Sequence, residues 1–207
     1  MAVVDLRPLP VSHHPGRRLS QLVAGLALYG TSMAMQVRAT LGLNPWDVLH
    51  EGLSLRTPLS FGMITALTGV VVLLLWIPLR QRPGIGTVAN VLVIAVSVDL
   101  ALALIPDVDG LAVPVALLLG GVLLNGLASA AYIGARLGPG PRDGLMTGLA
   151  VRTGRSIRLV RTGIEVTVLA IGWLHGGTVG IGTVLYALAI GPLTQLFLPH
   201  LVVRDPG

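Results

Sequence analysis

Five charged side chains lie within or beside long apolar stretches of this chain. They are Asp47, Asp99, Asp143, Arg161 and Glu165. Because burying a charge in hydrocarbon is costly, an ionisable group inside a membrane segment is a functional candidate by default. Carboxylates, and an arginine paired with a glutamate, can bind a polar substrate or exchange protons there. We therefore take these residues as candidates for substrate or proton coupling.

Local spacing suggests what these groups can do. Arg161 and Glu165 are one helical turn apart, so they can pair on one face of a helix, either as a structural ion pair or as part of a proton or substrate path. Asp47 and Asp143 each follow a proline and can cap a short helix by accepting unpaired backbone N–H groups. A carboxylate at that positive helix end favours a cationic or neutral polar ligand over an anion.

The composition indicates a membrane protein. Of the 207 residues, 53% are hydrophobic and only 11% are charged, whereas a soluble domain is about 25% charged. This excludes a soluble enzyme. The chain has no cysteine, its five histidines show no ligand spacing, and it has no nucleotide-binding or hydrolase motif. We expect no enzymatic activity, no cofactor and no metal.

Six apolar segments are long enough to cross a bilayer, which takes about 20 residues. They cover residues 20–41, 60–79, 86–105, 111–135, 157–175 and 181–202. The sequence thus predicts an all-helical membrane domain over residues 20–202, between flexible tails at 1–19 and 203–207. The chain carries a net charge of +5, but we expect it to bind the lipid bilayer and no nucleic acid, because arginines in membrane proteins set orientation.

Counting arginines on each side of the predicted segments gives an orientation, since short cytoplasmic loops are enriched in basic residues. One side has only Arg38 and Arg56. Both termini therefore face the cytoplasm in this prediction, and the protein lies in a bacterial plasma membrane. The other side holds the larger set: Arg7, Arg17, Arg18, Arg80, Arg82, Arg136, Arg142, Arg152, Arg155, Arg158 and Arg204.

The chain matches itself without gaps at a shift of 96 residues. Gly-x-x-Pro-x-Asp and Gly-Ile-Gly-Thr both occur twice at that spacing, in units spanning about 21–100 and 117–196. Each unit holds three predicted spanning helices, and an odd number places the second unit upside down, as in many secondary transporters. The repeated structural positions are Gly42 and Gly138, Pro45 and Pro141, Gly84 and Gly180, Gly86 and Gly182, and Thr87 and Thr183.

Each motif predicts a local structure. The segments that follow the two Gly-x-x-Pro-x-Asp motifs are too short to span the membrane. They cover residues 48–55 and 144–152, and they form either interfacial helices or half-helices that converge near the midplane. Gly-Ile-Gly-Thr predicts a tight turn with close helix packing, capped by its threonine. Gly30 and Gly126 each begin a small-x-x-x-small pattern, which predicts close packing between the first helices of the two units or a homodimer contact.

These motifs together resemble the YczE/YyaS/YitT family of bacterial integral membrane proteins, over nearly all of the chain after residue 20. The resemblance rests on Gly42 to Ser54, Gly84 to Asn90, Gly140 to Met146 and Gly177 to Thr183. It implies a multi-pass plasma-membrane protein, sometimes grouped with exporters or permeases, without an established substrate.

The preferred functional hypothesis is a small secondary transporter for an unknown small molecule or ion, working by rocking of two inverted three-helix halves. One alternative is a non-transporting scaffold or regulatory protein that uses its arginine-rich cytoplasmic surface. Another is an intramembrane enzyme, which no motif in the sequence supports. Half-helices that meet around a polar cavity favour transport, while surface-lying turns and a dry interior speak against it.

Overall fold

A computed structural model describes residues 6, 8–10 and 12–203. This part of the chain forms eight α-helices and no strand. The helices are α1 (Pro15–Ala39), α2 (Pro45–Ser54), α3 (Phe61–Leu79), α4 (Ile85–Leu104), α5 (Ala112–Gly134), α6 (Pro141–Thr153), α7 (Ile157–Leu174) and α8 (Ile181–Leu201).

Four of these helices, α3, α4, α5 and α8, are long and apolar enough to cross a membrane. The other two predicted spans, α1 and α7, are more polar and do not reach that level; α7 alone contains Arg158, Arg161 and Glu165. The predicted bounds agree with the helices within about two residues, except at the start of α1. That helix begins at Pro15 and not at residue 20, because proline suits the first turn of a helix.

Residues before α1 are held against the end of α5. The Arg18 guanidinium is fully buried and donates to the carbonyl oxygens of Leu9, Pro10, His13, Ala135 and Arg136. Part of the segment predicted as a flexible tail over residues 1–19 therefore contacts the end of α5 through Arg18, an arginine that the orientation count used only as a charge. The tail arginines Arg7 and Arg204 lie outside the described residues.

Most of the helix contacts repeat between the two halves of the chain, although the packing of α3 on α4 has no comparable α7–α8 contact among the described residues. The contact of α1 with α4 has its counterpart in that of α5 with α8, and the contact of α3 with α6 has its counterpart in that of α7 with α2. Between the halves, α1 packs along α5. The two helices are antiparallel, because Gly25 lies against Ala131 and Tyr132 while Gly121 lies against Ser32 and Gln36.

The small residues serve different contacts from those predicted. The close approach of α1 to α5 is made by Gly25 and Gly121, where an added Cβ would lie 2.9 and 3.0 Å from its nearest neighbours. Gly30 instead faces α4, and Gly126 faces Leu193 on α8. The prediction that the Gly30 and Gly126 patterns join the two units is wrong, because both glycines point to a helix of their own unit.

The two Gly-Ile-Gly-Thr turns cross over to the opposite half. Gly86 N donates to Leu137 O at 2.9 Å, and Gly182 N donates to Leu41 O at 2.8 Å. Gly42 and Gly138, which these turns touch, have φ angles of 111° and 124°, in the region that favours glycine. The motif predicted as a tight turn thus forms a helix start, with Gly84 and Gly180 at the N-cap, and it packs closely against a loop of the other unit.

The threonines of the two motifs bond at the helix starts from the third helical position, while Gly84 and Gly180 occupy the N-cap positions. Thr87 Oγ1 accepts a hydrogen bond from Gly84 N at 3.0 Å, and Thr183 Oγ1 accepts one from Gly180 N at 3.2 Å. Thr87 further donates to Pro139 O at 2.8 Å, which joins α4 to the loop before α6.

Each short helix packs on a long helix of the other half, with the large and small residues exchanged. On α6, Gly144 accommodates the ring of Trp76 from α3, so that an added Cβ would lie 2.0 Å from the ring. In the counterpart, Gly172 on α7 accommodates the backbone of Val48 and Leu49 on α2, with an added Cβ 2.4 Å from Leu49 N. These positions correspond at the shift of 96, since Val48 aligns with Gly144 and Trp76 with Gly172.

Candidate functional site

A cavity of about 120 Å³ lies where α2 and α6 begin. One water molecule needs ~10–15 Å³ on this kind of measure, so there is room for a small polar molecule. The first residues of α2 and α6 line the cavity, together with Tyr29 near the middle of α1 and Asn90 on α4. The two short helices therefore converge on one space lined by polar side chains, and both present their N-terminal ends to it.

Most of the lining comes from equivalent positions of the two units. Fourteen lining residues form seven pairs that are 96 positions apart, which places the cavity between the two repeats of the sequence. The pairs are Asn44 and Gly140, Pro45 and Pro141, Trp46 and Arg142, His50 and Met146, Thr65 and Arg161, Gly69 and Glu165, and Asn90 and Tyr186.

The start of α2 is closed by Asn44 and not by Asp47. Asn44 Oδ1 accepts from the backbone N–H groups of Trp46 and Asp47, each at 3.1 Å, because Pro45 occupies the first helical position. Asp47 is fully buried, and its Oδ2 accepts from Asn44 Nδ2 at 2.5 Å. The prediction that Asp47 is the cap is wrong, since the helix starts three residues earlier than expected.

At the start of α6, the two residues after the proline, Arg142 and Asp143, are both charged. No side chain caps this helix, and Asp143 in its first turn accepts from the Tyr132 hydroxyl at 3.2 Å. The Arg142 guanidinium lies 4.9 Å from the centre of the Trp46 ring, a cation–π distance, and 3.8 Å from Asp47 Oδ1. Two equivalent residues, Trp46 and Arg142, thus stack on each other between the units.

These contacts change the ligand charge that the cavity is expected to favour. The expectation of a cationic or neutral ligand rested on carboxylate caps, and neither helix has one. The cavity presents both the Arg142 guanidinium and the Asp143 carboxylate. Charge alone therefore no longer selects against an anionic group.

A second polar network lies beside the cavity, between α1, α5 and α8. The Tyr186 hydroxyl donates to Asn125 Oδ1 at 2.9 Å, and Asn125 Nδ2 donates to Ser32 Oγ at 2.7 Å. Asn125 thus joins three helices by hydrogen bonds, which is a common use of amides between membrane helices.

The remaining predicted residues separate into two places. Arg161 and Glu165 line the cavity and pair through Arg161 Nε and Glu165 Oε1 at 2.8 Å. Asp99 does not line it. Its carboxylate accepts from the Ser60 hydroxyl and from Gly62 N, and so ties α4 to the beginning of α3. Asp99 is therefore placed as a structural cap partner, away from the other candidates.

Known proteins are similar to this chain over most of its length. A family of unknown function, DUF6198, matches residues 16–199. The chain belongs to this family. It is 37% identical over 190 residues to an uncharacterised protein of Haemophilus influenzae, covering 92% of this chain and 87% of that protein.

Two Bacillus subtilis proteins are also similar. The uncharacterised membrane protein YczE is 32% identical over 180 residues, covering 86% of this chain and 83% of YczE. The uncharacterised protein YyaS is 26% identical over 179 residues, covering 84% and 89%. No solved structure matches the chain. The resemblance to YczE and YyaS is confirmed, and the DUF6198 chain is an integral membrane protein with apolar helices.

Several cavity residues of this DUF6198 protein were not predicted. Trp46 and His50 lie next to the predicted Asp47, while Arg142 was counted only for orientation. One signal was available: Asp47 and His50 are three positions apart, on one face of a helix. Tyr132 and Tyr186 gave no signal, because only the packing of α5 and α8 brings them to the cavity.

Proposed function

We propose that this protein is a small secondary transporter that carries a small polar solute through the cavity between two inverted halves. Each half has three spanning helices and one half-helix that dips into the membrane. The protein lies in the plasma membrane with both termini cytoplasmic and has no enzymatic role. The single observation that carries the proposal is the convergence of the α2 and α6 N-termini on one polar cavity.

Inversion of the halves is supported by three independent features. The equivalent helices α1 and α5 are antiparallel neighbours. Most of the helix contacts repeat between the halves. The arginine count assigns equivalent loops to opposite sides of the membrane.

The packing also supports a rocking motion. Each short helix packs on a long helix of the opposite half, α2 on α7 and α6 on α3. Opening one of these two equivalent interfaces while the other stays closed would expose the cavity to one side at a time. The crossed Gly-Ile-Gly-Thr turns hold the two halves together at both ends during such a motion.

Single cysteines test the transport proposal directly, because the chain contains no cysteine of its own. Thr68→Cys places a thiol on the cavity wall. In oriented membrane vesicles, a membrane-impermeant, charged thiol reagent should label this thiol from either side. The matched control is Val96→Cys on α4, where 68% of the residue is exposed on the outer surface of the bundle. Lipid should protect that thiol from both sides.

A sealed cavity would contradict the proposal. If Thr68→Cys reacts from one side only, or from neither, alternating access is excluded for this cavity. A scaffold or regulatory role that depends on the arginine-rich loops would then be favoured. Capture of a partner that is lost when Arg152 and Arg155 are changed to glutamine would support that second role.

The inverted arrangement has its own test at two equivalent threonines. Thr57 and Thr153 are both exposed, are 96 positions apart, and donate to Leu53 O and Leu149 O at 3.0 and 2.8 Å. In whole cells, the impermeant reagent should label Thr57→Cys and should reach Thr153→Cys only after permeabilisation. Labelling of both in intact cells would overturn the inverted topology.

A further inference from the structure

His50 has an unpaired nitrogen at the cavity. Its ring lines the cavity wall on α2, yet its side chain is only 1% exposed. Nε2 has no hydrogen-bond partner among the described residues. Because buried polar atoms are nearly always paired, an unpaired nitrogen in this setting marks a place for a proton or a ligand.

The neighbours of the other nitrogen determine where the resident proton lies. His50 Nδ1 is 3.2 Å from Thr65 Oγ1 and 3.3 Å from Asp47 Oδ1. The Thr65 hydroxyl donates to Phe61 O at 2.9 Å, so its oxygen is free to accept, and a carboxylate can only accept. Both neighbours can accept from Nδ1, and the carboxylate can do nothing else, so we assign the hydrogen to Nδ1 and a free lone pair to Nε2.

The charges around His50 leave room for one more positive charge. Three carboxylates and two guanidinium groups lie in or beside the cavity. Together with His50, their formal charges sum to −1 when His50 is neutral and to zero when it is protonated. Among the described lining residues, α3 and α4 contribute no charged side chain. The charged groups are Asp47 on α2, Arg142 and Asp143 on α6, and Arg161 and Glu165 on α7.

We propose that His50, with Asp47 as its counter-charge, is a proton-binding site that couples proton movement to transport. In the loading step, a hydronium ion in the cavity loses a proton to Nε2; one N–H bond forms, one O–H bond breaks, and a water molecule remains. The reverse step releases the proton to the other side. A metal ion is disfavoured at Asp47, because the donors of His50 and Arg142 already face its Oδ1.

This inference rests on the proposed transport function for the use of the proton, while the site itself can be tested separately. The test is solid-state NMR of the full chain in lipid, with ¹⁵N-labelled histidine. The chain has five histidines, and the His50 signals are those that His50→Gln removes. At high pH, His50 should carry hydrogen on Nδ1, and lowering the pH should add the second hydrogen on Nε2.

Two NMR results would overturn the proposal: hydrogen on Nε2 alone in the neutral ring, or a ring that never gains the second proton at any pH at which the protein stays folded. Asp47→Asn provides a second variant. Since it removes the counter-charge, the protonated fraction of His50 at about pH 6 should fall severalfold. An unchanged fraction would contradict the assigned role of Asp47.

The link to transport uses the cavity thiol. In Thr68→Cys, the ratio of labelling from the two sides should change at least threefold between about pH 5 and pH 8, and His50→Gln should abolish that change. His200→Gln is the matched control, because His200 is an exposed histidine outside the cavity lining, and it should keep the change. Two-sided labelling with no pH effect would leave transport supported and remove the proton role.

Discussion

The two walls of the cavity come from segments that match each other at a shift of 96 residues, and they hold different chemistry. On the first wall, His50 is buried and hydrogen-bonded, and the buried Asp47 lies beside it without lining the cavity. On the second, Asp143 is exposed to the cavity, and Arg161 and Glu165 expose 55% and 29% of their side chains. A buried charge depends on its partners, whereas an exposed one is solvated. The first wall is therefore suited to hold a proton, and the second to meet a solute.

The short helices show a comparable exchange in packing. At the α3–α6 interface, Trp76 of the long helix lies over Gly144 of the short helix. At the α2–α7 interface, the backbone of the short helix lies over Gly172 of the long helix. The two interfaces thus keep a close approach although the glycine lies on the short helix in one and on the long helix in the other, because a residue without a Cβ leaves room for its neighbour in both.

The largest effect is expected at this packing exchange. Gly144→Val should destabilise the protein by several kcal/mol, since its Cβ would lie 2.0 Å from the Trp76 ring. Trp76→Gly should cost ~3–5 kcal/mol through the cavity that it leaves. The double variant reproduces the arrangement at the other interface and should be more stable than either single variant. Denaturant unfolding in mixed detergent micelles measures all three, and additive losses would contradict this account.

The two aspartates should differ next. Asp47→Ala removes a buried carboxylate, leaves Asn44 Nδ2 without its acceptor and takes away the negative charge beside His50 and Arg142, which should cost ~3 kcal/mol. Asp143→Ala removes a single hydrogen bond at an exposed position and should cost ~1 kcal/mol or less. The same unfolding measurement compares them. Equal losses would show that the two walls are not distinct.

The stack of Trp46 on Arg142 can be reversed. Trp46→Arg alone should cost ~1–2 kcal/mol, because it loses the ring and brings two guanidinium groups together. Since the two positions are equivalent, adding Arg142→Trp should restore part of that loss. A double-mutant cycle on unfolding free energies gives the coupling. A coupling of zero would mean that the stack contributes nothing to the contact between the units.

The smallest effect is expected on the exposed wall. Glu165→Gln removes a pair one turn apart on α7, and exposed pairs of this kind stabilise a helix by ~0.3–0.5 kcal/mol. Stability should therefore change by no more than this, and the difference should shrink in high salt. A loss above ~2 kcal/mol would show that the pair is a structural element and not a solute-facing one.

The sequence by itself determined the membrane character, the bounds of most helices and the duplication, because these follow from local composition and from self-similarity. It also indicated that the Thr87 and Thr183 hydroxyls bond at the starts of their helices, because these bonds join residues only three positions apart. The predicted Asp47 cap failed because Asn44 competes for the same backbone groups and is better placed by Pro45.

Only the tertiary structure decided which groups meet. The stacking of Trp46 on Arg142, the separation of Asp99 from the other carboxylates and the convergence of α2 with α6 all join residues that are distant in the chain. It also decided that Gly25, and not Gly30, meets α5. A helix has several faces with small residues, and the face that is used depends on how every other helix packs.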